Sequence, residues 1–249
     1  LDNTTTAVNL GTVGVTGALS VTSGETITDS GVITVAGTSS FTTDVNDKDI
    51  ILNQSNAMSG NITVSTAGTG GDVTIDNGTT ALGIQGTING GLTVVNGAAI
   101  TDSDTLTVTG ASSFTIDTGS NHITLGTAAL TGAIGVSTTG TSNFTLDNTT
   151  TAVNLGTVGV TGALSVTSGA AITDSGVITV AGTATFVTDV NDIDITLNQS
   201  NAIAGALTFT TNTGGSNGAD ITLNNGSTAI SLAGFTTRGN LTLETTNAI

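Results

Sequence analysis

The sequence predicts an all-β fold in which the chain winds as a parallel β-solenoid. Three observations lead there. A short word recurs, apolar then Thr or Ser then apolar, as in Ile33-Thr34-Val35, Leu164-Ser165-Val166, Ile178-Thr179-Val180 and Ile195-Thr196-Leu197. Side chains alternate faces along a strand, so this word turns two residues inward and one outward. The chain also repeats itself: Leu1–Gly60 returns as Leu146–Gly205 with nine substitutions. Finally, no stretch carries apolar residues at helical spacing for more than a turn. The words are separated by Gly, Asn, Asp, Ser and Thr, the residues that turn a chain.

The long repeat divides into units of about 72 residues. Phe41, Phe114 and Phe186 lie 73 and 72 positions apart, each preceded by an Ile-Thr-Asp-Ser run at Ile27–Ser30, Ile100–Ser103 and Ile172–Ser175. A period that long exceeds one solenoid turn and has to hold several coils. One unit offers strand centres at Phe41, Ile51, Thr63, Thr74, Gly83, Thr93, Thr101 and Thr107. Hairpins want two-residue turns between matched strands. Asn77-Gly78 and Asn225-Gly226 instead run on into Thr-Thr and Ser-Thr, a longer corner. Near-identical words at a fixed period stack in parallel, each coil burying its neighbour's face. With two strands per coil, about 18 residues make a turn, and about 14 coils at ~4.8 Å each make a body roughly 65 Å long. A triangular coil with a third short strand, up to about 24 residues per turn, is the alternative geometry.

The inward residues follow from the words: Ile33 and Val35, Val73 and Ile75, Leu92 and Val94, Leu106 and Val108, Phe114 and Ile116, Ile123 and Leu125, Ile134 and Val136. The second half continues with Phe144 and Leu146, Val153 and Leu155, Leu164 and Val166, Ile178 and Val180, Leu207 and Phe209, Ile221 and Leu223, Leu241 and Leu243. Differences between the long copies fix what faces outward. Lys48 becomes Ile193 and Thr42 becomes Val187, so both positions belong at the surface or a corner, because an unpaired Lys is rarely tolerated inside. The insertion that turns Gly68–Gly71 into Asn212–Ala219 belongs at a corner too. One continuous body over residues 1–249 is expected. Residue 1 reads as a cut through a strand, since Phe144-Thr145 completes the same word at Leu146, so the span reads as a segment of a longer chain.

Composition narrows the function classes. With 2 Lys plus Arg against 18 Asp plus Glu, and a net charge of -16, nucleic acid and anionic membrane are not expected partners. No Cys is present, which removes disulfides and thiolate metal sites. The regular Val, Ile and Leu positions and a mean hydropathy of +0.31 argue for a packed core over disorder.

Words such as Asp220-Ile221-Thr222-Leu223-Asn224-Asn225-Gly226 and Gly239-Asn240-Leu241-Thr242-Leu243 resemble the repeats of filamentous-haemagglutinin-like adhesins, large bacterial surface and secreted proteins. The resemblance is one of style over the whole chain. It implies a right-handed parallel β-helix, an extracellular or cell-surface place, and an adhesive or scaffolding role. It carries over no functional residue.

Catalysis needs positioned acids, bases or nucleophiles. His122 is the single His, and Asp49 and Asp194 occupy its place in the other units, so it reads as a solvated edge residue and no enzyme is expected. The densest acidic cluster is Asp44, Asp47 and Asp49, repeated as Asp189, Asp192 and Asp194. Carboxylates converging on a turn suit Ca²⁺, the one candidate cofactor. The other reading is a turn whose Asp and Asn bond nearby backbone N–H groups. Asp29, Asp102 and Asp174 lie several coils apart and read as structural turns. Asn53 with Asn198, and Asn148 with Asn225, are candidates for Asn ladders. Outward Thr, as in Thr26 and Thr28 or Thr105, Thr107 and Thr109, offers a flat repetitive face for ice or glycan. The partners expected above all are neighbouring repeats of the same protein or further copies of it, with a host surface or glycan as the alternative. The function expected is a stiff extracellular rod, fibre or surface layer.

Overall fold

The structure, a computed structural model, describes residues 1–247. Its strands are β-branched, period-2 segments, and every strand pair is parallel. Two long sheets run the length of the molecule. Sheet I begins at Asp2–Asn3 and Leu19–Ser23 and ends at Leu207–Asn212 and Leu232–Thr236; sheet II begins at Val8–Leu10 and Ile27–Asp29 and ends at Ile221–Asn224 and Leu241–Glu244. The chain visits them alternately, giving a solenoid of about 12 turns and about 21 residues per turn. At ~4.8 Å per turn the rod is roughly 58 Å long. The turn is longer than the two-strand estimate because many coils carry a third, short side.

That third side comes in runs of three coils. Val13–Val15, Ile33–Val35 and Ala57–Met58 form one run, on the way from sheet II back to sheet I. Residues 86–88, 106–108 and Ala128–Leu130 form the next, on the opposite side, between sheet I and sheet II. Residues 158–160, Ile178–Val180 and Ala202–Ile203 form the last, back on the original side. A strand feeds a third side by bending. In Leu82–Ile88 the register against the next strand shifts between Ile84 and Gly86, and Gly86 has φ +120. A Cβ at this glycine would run into the Val64 carbonyl oxygen, so the bend needs Gly.

The alternation of sides explains the 72-residue unit. From Ile27 on sheet II the chain returns to that sheet at Ile50, Val73 and Leu92, three full turns, and then reaches Ile100 half a turn later on sheet I. Ile172 is back on sheet II. Phe41, Phe114 and Phe186 likewise lie on sheets I, II and I. One unit is therefore three and a half turns, and the 145-residue repeat is seven. Successive units are related by a half-turn and a rise of roughly 17 Å along the axis.

The interior is mainly apolar along its length, with polar side chains such as Asn77, Asn148 and Asn225 buried at its corners. Of the inward residues expected from the words, all are buried except Leu241 and Leu243, which are half-buried because they lie on the last described coil, with none of the described residues stacked above. Phe186 and Phe209 stack with ring centroids 5.5 Å apart and planes 15° from parallel. Phe235 pairs in register with Phe209 on that same last coil and is 51% exposed. Lys48 is at a corner, as expected, and its ammonium lies 2.6 Å from Glu25.

Candidate functional site

The acidic corners join sheet I to sheet II. Asp47 and Asp192 sit at equivalent tight turns with φ 60 and 59, a left-handed conformation that Asp tolerates better than most residues. The Asp47 carboxylate accepts the Thr69 and Gly70 N–H groups of the next coil at 2.9 and 2.8 Å. Asp49 accepts the Asp72 N–H at 2.9 Å. In the second copy Asp192 accepts from Ser216 and Gly218 at 3.1 and 2.9 Å, and Asp194 from Asp220 at 2.8 Å. Arg238, one coil further on, donates to the Thr213 carbonyl at 3.0 Å and to that of Gly215. The longer insertion at 212–219 is thus strapped from below by Asp192 and from above by Arg238. These contacts hold the Asp192 carboxyl below the ordinary aspartate range, with the Gly218 N–H as the largest cause and Arg238 as a smaller one. Asp44 and Asp189 stand exposed at the tips beside Val45 and Val190, which are exposed as well. Among the described residues, no three carboxylate or imidazole groups are grouped so as to hold a metal ion.

The Ile-Thr-Asp-Ser corners work alike. Asp29 accepts the Asn53 and Gln54 N–H groups at 2.9 and 3.3 Å, and its other partner, the Asn56 amide at 2.7 Å, is buried. Asn56 in turn accepts the Ile33 N–H at 2.7 Å. Asp174 and Asn201 repeat the arrangement, with Asn201 accepting from Ile178 at 2.8 Å. Asp102 grips Gly126 and Thr127 at 2.8 and 2.6 Å. All three lie on separate coils and serve as turn clamps. His122 occupies the place of Asp49 and Asp194 and does their work: its Nδ1 accepts the Asn143 N–H at 3.1 Å.

The Asn ladders do not form. Asn53 and Asn198 are exposed, and each accepts from the Gln that follows it. Asn148 and Asn225 are buried plugs on separate coils, and so is Asn77. Asn77 Oδ1 accepts the Met58 N–H at 2.9 Å, Asn148 the Leu130 N–H at 2.8 Å, and Asn225 the Ile203 N–H at 2.9 Å. Each amide also donates to carbonyls of its own corner. One Asn therefore closes each run of third-side strands, satisfying the backbone groups that a fourth strand would have paired. Sequence reasoning missed this role, although its signal was present: Asn-(Gly/Thr)-(Thr/Ser)-Thr-Ala begins at Asn3, Asn77, Asn148 and Asn225.

The outward residues of sheet II form a row in two stretches, broken by a register shift between Ile134 and Val136, where Asn154 pairs with Ala133. Register aligns Asn9, Thr28, Ile51, Thr74, Thr93, Ser113 and Gly135, then Asn154, Thr173, Thr196, Thr222 and Thr242. Thr28 belongs to this row. Thr107 does not: it pairs with Thr87 and Ala129 on the narrow third side. A shallow groove of about 450 Å³ lies over the third-side run of the second copy, floored by small groups including Gly159, Thr179 and Ala202. The same floor recurs at Gly14, Thr34 and Ala57. No described helix is long and apolar enough to cross a membrane.

A family model described as repeats of unknown function (DUF5649) matches residues 1–65, 70–140 and 141–210. Its three matched segments follow the spacing of the 72-residue units. No curated protein and no solved structure matches the chain.

Proposed function

The chain belongs to this family of repeats, and from its repeat geometry we propose that it serves as a non-catalytic structural rod of a bacterial-type surface or secreted protein. Its repeats build a β-solenoid scaffold. One observation carries the rest. Of the polar residues that sequence marks as chemistry-bearing, Asp44 and Asp189 stand exposed at the corner tips, and Asp29, Asp47, Asp49, Asp102, Asp174, Asp192, Asp194 and His122 each accept backbone N–H groups one coil on. Their chemistry is used in holding turns. Length can then grow by adding units, each burying the face of the last, without new side-chain inventions. Adhesion and association with like repeats fit such a spacer, which sets distance and stiffness. Negative-stain electron microscopy of the protein from its source tests the reading. Straight rods or filaments are expected; compact globular particles would end it.

A second reading has its own observation, the Thr-rich row of sheet II. Seven of its twelve positions are Thr, three before the register break at Ile134 and four after it. A regular hydroxyl array of this kind suits an ice or glycan surface. Thermal hysteresis, measured beside a Thr196→Tyr variant, decides for ice: a gap that the variant abolishes supports it, and no gap removes it.

A further inference from the structure

Among the described residues, and leaving aside the first and last coils, the large apolar side chains that stand exposed form two equivalent pairs, Val32 with Val177 and Val45 with Val190. The members of each pair lie 145 positions apart, seven turns along the rod. Val45 and Val190 are 44% and 46% exposed. Both sit at corners from sheet I to sheet II. The register explains their exposure. Thr43 pairs with Thr66 and Asn46 with Ala67, so Asp44 and Val45 are pushed out of the ladder as a bulge. Asp189 and Val190 are pushed out likewise, between Thr188 and Asn191. A bulge re-aims a side chain, and here it sets a Val at the tip of an acidic corner. Val32 and Val177 belong to the opposite narrow side. Their carbonyls accept the Val13 and Val158 N–H groups at 3.1 and 3.0 Å, at the entry to the third-side runs. Val177 therefore rims the shallow groove floored by Gly159, Thr179 and Ala202, and no charged residue lines that groove. A Cβ at Gly159 would meet only the Val136 carbonyl oxygen, at 3.8 Å, so the space above the floor is open. Tip and groove share a level. Val190 comes after Ile178–Val180 and before Ala202–Ile203, the middle and last strands of the floor. Val45 has the same place between Ile33–Val35 and Ala57–Met58.

We propose that the groove over Gly159, Thr179 and Ala202 takes the Val190 tip of a second copy of this chain, lying alongside in the same direction and at the same height. A sideways shift without rotation brings the two together. The same shift seats the Val45 tip over Gly14, Thr34 and Ala57, the equivalent floor seven turns away. The contact is heterologous. Each rod offers tips on one narrow side and grooves on the other, so the pairing does not close, and successive rods add side by side into a layer. Charge favours this arrangement over pairing of like sides. Asp44, Asp47, Asp49, Asp189, Asp192 and Asp194 all lie on the tip side, and a sideways shift sets them against the uncharged groove instead of against their own counterparts. Each tip covers far less than the ~800 Å² per partner of a standard stable interface, so the contact is weak singly and gains by repetition along a longer rod. The inference deepens the reading of association with like repeats and rests on it.

The test uses the full chain in sedimentation velocity at rising protein concentration, with enough salt to screen the acidic corners. Two variants separate the surfaces. Val45→Ser with Val190→Ser removes the tips, and Gly14→Leu with Gly159→Leu fills the grooves. The valines are exposed and the glycines have open space above them, so both variants keep the parent's melting temperature. The parent's sedimentation coefficient rises with concentration. Each variant alone stays at the single-rod value. An equimolar mixture of the two forms pairs and stops there, because only the grooves of the tipless chain and the tips of the filled chain remain to meet. A parent that stays a single rod at every concentration, a variant that associates as the parent does, or a mixture without pairing overturns the proposal. None of these results touches the rod reading, which falls only on the microscopy.

Discussion

Asn77 takes the place of a strand for Met58. Its Oδ1 accepts the Met58 N–H at 2.9 Å and its Nδ2 donates to the Met58 carbonyl at 3.1 Å, all of it buried. An amide is the smallest side chain that offers a donor and an acceptor side by side, as a neighbouring peptide would. Asn77→Ala leaves both Met58 groups unpaired in an apolar setting and should cost about 2–6 kcal/mol, from ~1–3 per orphaned group. Asn77→Asp should cost at least as much, because a carboxylate meets the Met58, Thr80 and Ala81 carbonyls with no donor. Denaturant midpoints of the two variants check this. A near-silent Asn77→Ala would mean that the plug is dispensable.

Glu25 and Lys48 form an ion pair at 2.6 Å on a partly exposed corner, and the second copy replaces them together by Ala170 and Ile193. The chain thus contains its own double variant. A pair this exposed contributes at most about 1 kcal/mol. Lys48→Ile combined with Glu25→Ala should match or exceed the parent's stability, since Ile gains apolar cover at the same site. The coupling energy from a double-mutant cycle should fall as salt rises.

The fold was legible in the words, and its screw was not. Inward and outward residues came out correctly, save the half-buried Leu241 and Leu243, because alternation along a strand is local and the coils between the two ends are covered on both sides. The side on which a word lies is not local. Ile33-Thr34-Val35 lies on the narrow third side, Leu164-Ser165-Val166 on sheet I and Ile195-Thr196-Leu197 on sheet II, with nothing in three residues to tell them apart. The half-turn hidden in 72 residues depends on where corners bend, and Gly86 bends a strand that reads as continuous. The acidic corners were legible as turns with two candidate uses. Their partners lie 22 to 26 residues on, beyond any local pattern.

His122 stands where its counterparts are aspartates, and the shared feature is an acceptor aimed at the next coil's N–H. His122→Asp should therefore be tolerated within about 0.5 kcal/mol, whereas His122→Leu leaves the Asn143 N–H without a side-chain acceptor and should cost about 1 kcal/mol. Thermal melts of both variants beside the parent decide it. Equal loss in both would show that the ring's packing, not its Nδ1, matters at this corner.

Ca²⁺ and N–H gripping make different demands on Asp47. Asp47→Asn keeps an Oδ1 for Thr69 and Gly70, so a gripping role predicts a loss under about 1 kcal/mol, with Asp47→Ala worse. A cation site predicts that millimolar Ca²⁺ raises the melting temperature of the parent and that Asp47→Asn removes the rise. Melts with Ca²⁺ and with chelator separate the two, and the expected outcome is no Ca²⁺ dependence.

Asp192 makes the corner strap sensitive to acid. Its folded-state carboxyl titrates below the unfolded value because Gly218, Asn217 and Ser216 donate to the carboxylate and Arg238 lies near. A carboxyl with a lowered folded pKa binds fewer protons folded than unfolded, so its contribution is complete above the unfolded value and is lost as pH falls through the folded one. Stability between neutral pH and mild acid should not change on its account, and a decline should set in only in strong acid. Asp192→Asn cannot titrate. Its melting temperature should lie slightly below the parent's at neutral pH and converge with it as the parent's carboxyl protonates. Arg238→Gln should give a smaller version of the same change, weakened further by salt, because it removes one long-range attraction and leaves the Gly218 hydrogen bond in place. Parallel acid-side profiles for the parent and Asp192→Asn would mean that the strap holds through its backbone geometry and owes nothing to the charge.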